Sequence, residues 1–497
     1  MKIKNLIKLS AFIFLLTGTY SCADLEVENL NSADRARALS TPADVISLLN
    51  GGTNTFFTAS TSFLGSNLDL QADIITSTNA ANNYWGDADE PRRRINNTTT
   101  WDDKNNVEFL FNDCFSAIHA ANFVFAAVNT DGLELVENDV DNTQKHLAAA
   151  YMLKGMAYGY LGYVYDKGYI VEFDAVEPPT TLVSYSDLIG EAIFNFEEAK
   201  KIYAANPSAN WDYILDANLS SEEAIKLCNS YAARFMAGEA RTKAEAATLD
   251  WTTIRKYAQE AITEDFSPTS VGAVLFNGQH SWATFEINAE RAAYLPVDLQ
   301  VCWLMDNNYP KSYPDAGILP PVTTDDMREQ TDFVYTESIG WLREDRNRSI
   351  FSNYTFIRYQ YNYQSTNDGN PMHIVTAAEM DLIEAEAEYN LGNMTAAKTI
   401  IDAGPRVTRG GLPALADDSP ATIERAIWYE NMVELHSSGI GIALAYMRRW
   451  DRLQEGSYLN YPVPASELEI TRQPIYTFGG AGFGNEQGTA DGSNAWK

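Results

Sequence analysis

Apolar residues recur at helical spacing along most of the chain, in runs separated by short breaks. Thr41-Pro42 is a helix start with proline at the first position, and Val45, Leu48 and Leu49 form the stripe behind it. From residue 107 onward Phe111, Phe115, Ile118, Ala121, Phe125 and Val128 keep the spacing of a buried helix face. Residues 143–165 differ in kind. Ala148, Ala149, Ala150, Gly155, Ala157, Gly159 and Gly162 alternate there with large side chains, which lets a neighbouring helix approach closely. Ser184-x-x-Asp187, Ser220-x-x-Glu223 and Thr376-x-x-Glu379 read as capping boxes, each opening an amphipathic run, and residues 251–262 give a further amphipathic helix. After the third box, AEAEYNLGNMTAAKTII turns at Gly392-Asn393 and stops at Gly404-Pro405, the pattern of a tetratricopeptide-like hairpin. Ser419-Pro420 opens another helix, Gly439 interrupts it, and IALAYMRRWDRL forms the last. One hairpin cannot bury its own apolar face, so the prediction is a mostly α protein in which three or four such pairs stack.

Two stretches lose the period. Residues 63–101 are rich in Asn, Thr and Asp, carry Tyr84, Trp85 and Trp101, and read as a long shaped loop. Residues 267–373 form an aromatic-rich insertion between an N-terminal helical region at 41–266 and a C-terminal one at 374–497. FIRYQYNY is the candidate strand within it. Beyond residue 458 the chain is loop-like, and its glycine-rich end reads as a flexible or surface-coating tail.

The N-terminus sets the compartment. Lys2, Lys4 and Lys8 precede an apolar run at 9–16 too short to span a bilayer, and small residues lead into Cys22. Residues 1–21 therefore read as a lipoprotein signal peptide, with the mature chain starting at an acylated Cys22 and an acidic tether over 22–40. An ordinary secretory signal with an incidental Cys22 is the alternative. The balance of 36 basic to 67 acidic residues, net −31, argues against nucleic acid as a partner. It also means that the lipid, not the repelled acidic body, must hold the protein on a membrane.

Motifs for chemistry are few. His119, His146, His280, His373 and His436 show no paired metal spacing, no nucleophile elbow or phosphate loop occurs, and no cofactor is expected. Asp325-Asp326 and residues 87–90 are weak candidates for a calcium ion. Cys114, Cys228 and Cys302, widely spaced, read as buried free thiols. A two-carboxylate glycoside hydrolase stays open, since sequence does not show a carboxylate separation. A pure protein-binding scaffold leaves the tryptophan-rich insertion unexplained.

The order of these pieces, from STPADVISLLNG through AAAYMLKGMAYGYLGYVYDKGYI, EMDLIEAEAEYNLGNMTAAKTII, VTRGGLP and AIWYENMVELHSSG to MRRWDRL and YPVPASEL, resembles the SusD/RagB family of outer-membrane nutrient-binding lipoproteins. The resemblance implies a tetratricopeptide-type scaffold with a loop-rich insertion, placed as a lid on a TonB-dependent barrel transporter and capturing oligosaccharides or peptides. HSSGIGIALAYMRRW and NNYWGD depart from the usual pattern, so the ligand does not carry over. A sugar presents an apolar face to flat rings and hydroxyls to polar side chains. Asp73, Asn82, Asn83, Tyr84, Trp85 and Trp101 in the first loop, and Trp282, Trp303, Tyr309 and Tyr313 in the insertion, supply both and are the expected ligand-binding residues.

Overall fold

The helices start where the sequence provides caps. Thr41 Oγ1 accepts the Asp44 amide at 3.2 Å and Pro42 opens α1, Pro42–Ser60. The computed structural model describes residues 41–497 apart from 63, 79, 176–178, 215–216, 268–293, 316, 339–350, 359–373 and 484–487. The signal peptide, the tether and Cys22 lie outside the described residues, as does Trp282. Residues 64–71, expected in a loop, form instead a helix, α2 (Leu64–Gln71), and all eight are buried. A short α3, Tyr84–Ala88, follows. The three long N-terminal helices are α4 (Asn105–Phe125), α5 (Thr143–Val164) and α6 (Tyr185–Ala205), and then come α7 (Ser221–Ala237) and α8 (Trp251–Gln259). Ser184 with Asp187, and Ser220 with Glu223, make complete capping boxes for α6 and α7.

The insertion contributes α9 (Leu299–Met305), and the C-terminal region holds α10 (Ala377–Asn390), α11 (Met394–Ala403), α12 (Pro420–Val433) and α13 (Ile442–Arg449). Along the stack α1 packs on α4, α4 on α5, α5 on α6, α6 on α7, α7 on α8, α8 on α10, and α10 on α11 and α12. This is a mostly α protein built of stacked helical hairpins. The insertion falls between two helices that touch, and Phe266 and Val375 bridge its two ends, the Phe266 amide lying 2.9 Å from the Val375 carbonyl. Among the described residues of the predicted FIRYQYNY strand, Phe356 alone is in one: Phe333–Tyr335 pairs antiparallel with Tyr354–Phe356, and residues from 359 lie outside the described residues. The glycine-rich tail is not a loose coat. Trp496 is 3% exposed, and the Phe478 carbonyl accepts the Ile95 amide at 3.0 Å, so the end of the chain is packed back onto the first loop. Cys114, Cys228 and Cys302 are free and buried.

Buried ion pairs hold these parts to one another. The Thr376 hydroxyl caps α10, but the Glu379 carboxylate leaves the cap and grips Arg234 of α7 at 2.7 and 2.6 Å. Around Arg328, itself fully buried, four carboxylates meet four guanidiniums. Arg328 donates to Asp326 at 2.8 Å, to Glu430 at 2.6 Å and to Glu434 at 3.0 Å. Arg409 reaches Glu434 at 2.7 Å and Asp332 at 2.8 Å, Arg358 reaches Glu434 at 2.9 Å, and Arg406 approaches Glu430 at 3.8 Å. The cluster joins insertion residues 326, 328, 332 and 358 to α12 and to the VTRGG turn. Asp326, weighed as a calcium ligand, spends its carboxylate on Arg328 and the Tyr429 hydroxyl.

The small residues of α5 are contact points. A Cβ on Gly159 would fall 2.0 Å from the Phe235 ring of α7, and one on Gly155 would fall 2.7 Å from Phe196 of α6. Those two rings stack at 6.3 Å with 10° between their planes, which leaves no slack. Gly159→Ala should therefore cost about 1–3 kcal/mol by overpacking, more than the helix propensity it gains. Gly190→Ala, on α6 where a Cβ meets nothing, should raise stability by up to about 1 kcal/mol. Thermal melts of the two variants are expected to shift in opposite directions, and a shared direction would contradict this packing.

Candidate functional site

The first loop is positioned by buried polar groups. Asn82 and Asn83 both take the left-handed conformation, at φ 52° and 58°, which Asn tolerates better than most residues. The Asn82 carbonyl accepts from the Asn67 amide at 2.8 Å and from Asn106 at 2.6 Å. Asn67 also donates to the Asp87 carboxylate at 2.7 Å, while Gln71 and Arg92 donate to the Asp87 carbonyl at 2.7 and 2.8 Å. The turn is thus fastened from below, and Asn82, Asn83 and Trp85 are left half-buried at its surface.

This fastening corrects two expectations. Tyr84 has no exposed surface and is a core residue, so it offers no face to a ligand. Asp73, 2% exposed, pairs with Arg92 and accepts from Gln454 at 2.8 Å and the Trp496 indole at 3.3 Å. Its carboxylate is structural. Trp101 is half-buried against the core.

Residues next to the first loop's turn pair with the insertion. The Thr76 amide donates to the Pro296 carbonyl at 2.8 Å, Thr78 to Tyr294 at 3.0 Å, and Asp298 back to Ile74 at 2.9 Å, so residues 74–78 and 294–298 run side by side. Within the insertion Tyr309 and Tyr313 are 5% and 4% exposed, with their hydroxyls on the Pro320 carbonyl and the Asn353 side chain. They too are core, against expectation: both rings belong to the main hydrophobic cluster. Trp303 is half-buried and packs against the core.

Trp303 sits in a group that sequence patterning did not single out. Trp428 lies 5.8 Å away and Trp496 lies 6.3 Å away, ring centre to ring centre. The Lys311 ammonium and the Arg425 guanidinium each stand 4.6 Å over the Trp303 ring, and Arg452 stands 4.0 Å over Trp428. Burial pushes Arg425 down to about 10, so it is still a cation at neutral pH. Beside it opens a cleft of about 650 Å³, between α9, α12 and residues 412–416. A tryptophan three residues after Arg425, in the helix that Ser419-Pro420 opens, was the available signal. Trp496 was hidden by the glycine-rich composition around it. A second cleft, about 510 Å³ and walled by Phe115, Phe123, Tyr169 and Phe173, holds none of the expected residues.

Neither a protein-family model nor a curated protein matches the sequence. Solved structures do match the fold. A SusD homolog from Bacteroides thetaiotaomicron VPI-5482 aligns at TM-score 0.59 and 15% identity, over 88% of this chain and 97% of that one. A SusD superfamily protein from Parabacteroides distasonis ATCC 8503 aligns at TM-score 0.59 and 14% identity, over 86% and 97%. The chain has the SusD-like fold. A SusD-like carbohydrate binding protein from Bacteroides vulgatus ATCC 8482 shares it at TM-score 0.51 and 15% identity, over 82% and 83%. Within the SusD-like fold, the half-buried Trp85 and Trp303 belong to the two aperiodic stretches, the first loop and the insertion.

The first loop has a titrating fastener. Burial pushes the Asp87 carboxyl up from 3.8 to about 7, with the Asn67 hydrogen bond opposing. A folded-state value above the unfolded one gives stabilisation that is complete below the ordinary carboxyl range and is lost as pH rises through about 7. Asp87→Asn does not ionise. Its melting temperature relative to wild type should therefore rise between about pH 5 and about pH 8, and a difference that is flat or falls over that range would contradict the assignment.

Proposed function

We propose that this protein captures a nutrient, an oligosaccharide or polysaccharide, at the outer face of an outer membrane and hands it to a TonB-dependent transporter. The observation that carries the reading is the pairing of half-buried aromatic faces, Trp85 and Trp303, with amide and guanidinium groups, Asn82, Asn83 and Arg425, on a rigid SusD-like scaffold. Flat rings take the apolar face of a sugar, and the polar groups around them take hydroxyls. The SusD-like carbohydrate binding protein from Bacteroides vulgatus, which shares the fold, points to the same class of ligand. Lipidation at Cys22 supplies the membrane attachment, and a glycan bound without hydrolysis supplies the cargo. A peptide ligand in the same kind of complex is the alternative. Trp282 stays in the proposal as an expectation from sequence.

The test is binding of purified protein to a glycan and peptide array, followed by calorimetry on the best ligand with Trp85→Ala and Trp303→Ala. Each variant is expected to lose roughly 1–3 kcal/mol of affinity, the scale of an aromatic anchor. Release of new reducing ends from the bound glycan would replace capture by hydrolysis, and unchanged affinity in both variants would remove these faces from the site.

A further inference from the structure

In a chain with 67 acidic and 36 basic residues, most clefts are expected to present carboxylates. The cleft between α9, α12 and residues 412–416 does not. Arg406 and Arg425 stand in its walls, and among the described residues no acidic side chain lines it. Arg425 makes its polar contacts with the Leu304 carbonyl at 3.4 Å and Asn307 Oδ1 at 2.7 Å, and no described carboxylate lies in ion-pair reach of it. Arg406 approaches Glu430 only at 3.8 Å, and that carboxylate is already held by Arg328 at 2.6 Å. Arg241 and Arg448, which also lack a carboxylate partner, are buried and spend their donors on backbone carbonyls, whereas Arg425 is half-buried at the wall of an open cleft.

A guanidinium fork is shaped to take a carboxylate or sulfate through paired, charge-assisted hydrogen bonds. The rest of the wall is mostly apolar, from Leu412, Pro413 and Ala414 at the loop to Tyr429 on α12, with Asn307, Thr324 and Thr422 as its polar members, and Trp303 lies under Arg425. An occupant that combines an anionic group with an apolar face would use both features, and its anion would gain more from the guanidiniums than a neutral hydroxyl does. We propose that this cleft is a subsite for an acidic sugar residue, its carboxylate or sulfate group held by Arg425 with Arg406 and its ring laid against the apolar wall. The inference rests on the glycan-capture reading above and narrows it to polyanionic glycans. The surrounding acidic surface would repel such a ligand at long range, so the local pair of cations is what makes entry favourable.

The experiment is calorimetry of the whole exported chain with four probes. They are an oligogalacturonide, a sulfated galacto-oligosaccharide, the neutral galacto-oligosaccharide of equal length, and an oligoglutamate peptide. At least one acidic sugar is expected to bind at least tenfold more tightly than the neutral one, and which one binds separates carboxylate from sulfate recognition. Arg425→Gln should remove that preference at least tenfold while the melting temperature holds. If the variant does not fold, the wild-type ratio of acidic to neutral binding and its fall with added salt still decide the matter. Neutral sugar binding as well as acidic, or binding unchanged in Arg425→Gln, would overturn the anionic subsite and leave glycan capture standing. Binding of oligoglutamate in preference to every sugar would overturn both, and so would the absence of binding to any probe together with a glycan array that stays blank.

Discussion

The constraint on which the rest depends is the burial of Arg328 among carboxylates that come from different parts of the chain. Removing a charge from water costs several kcal/mol, recovered only when partners sit close and every lone pair is used. Asp326, Glu430 and Glu434 meet that demand at 2.6 to 3.0 Å, and Arg409 and Arg358 take up what remains of Glu434. Such a cluster tolerates no sliding. It fixes the insertion against α12, and α12 carries Trp428 and Arg425, so the geometry of the cleft follows from the ionic registration.

The helical stack works by the opposite means. Glycines on α5 let Phe196 and Phe235 lie flat against its backbone, and neighbouring helices interlock through shape with few polar demands. The two regimes meet at Arg234, which crosses from α7 to Glu379 of α10 and at 2.9 Å takes the Ile374 carbonyl, where the insertion returns. A rigid apolar stack thus presents a polar, loop-built face. His436 illustrates the boundary: burial pushes it down to about 3, and as a neutral ring it packs between Phe333 and Phe356.

The helices were legible because period and caps agreed. Thr41-Pro42, the Ser184 and Ser220 boxes and the small-residue face of α5 each describe a local event that the chain decides within one or two turns. The Thr376 box was legible only in half, because Arg234, far away in sequence, takes the Glu379 carboxylate. The same limit governs the site. Tyr84, in a run of Asn, Gly and Asp, looks exposed, yet Asn67, Gln71 and Arg92 bury the turn from beneath by contacts that no periodicity encodes. Asp73 looked like a ligand for a hydroxyl and is the partner of Arg92. Trp303 stands beside Trp428 and Trp496, which lie 125 and more residues away in sequence.

The central claim is that the buried cations register the insertion on the stack. Hydrogen–deuterium exchange on Arg328→Met, beside wild type, tests it directly, since Met fills the volume and leaves three carboxylates facing one another. Breaking such a cluster costs about 3–5 kcal/mol. The account predicts that amides in residues 294–338 and 351–358 and in α12 lose protection, while those of α5 to α7 keep theirs. Unchanged exchange in the insertion, or an equal loss throughout the stack, would contradict it.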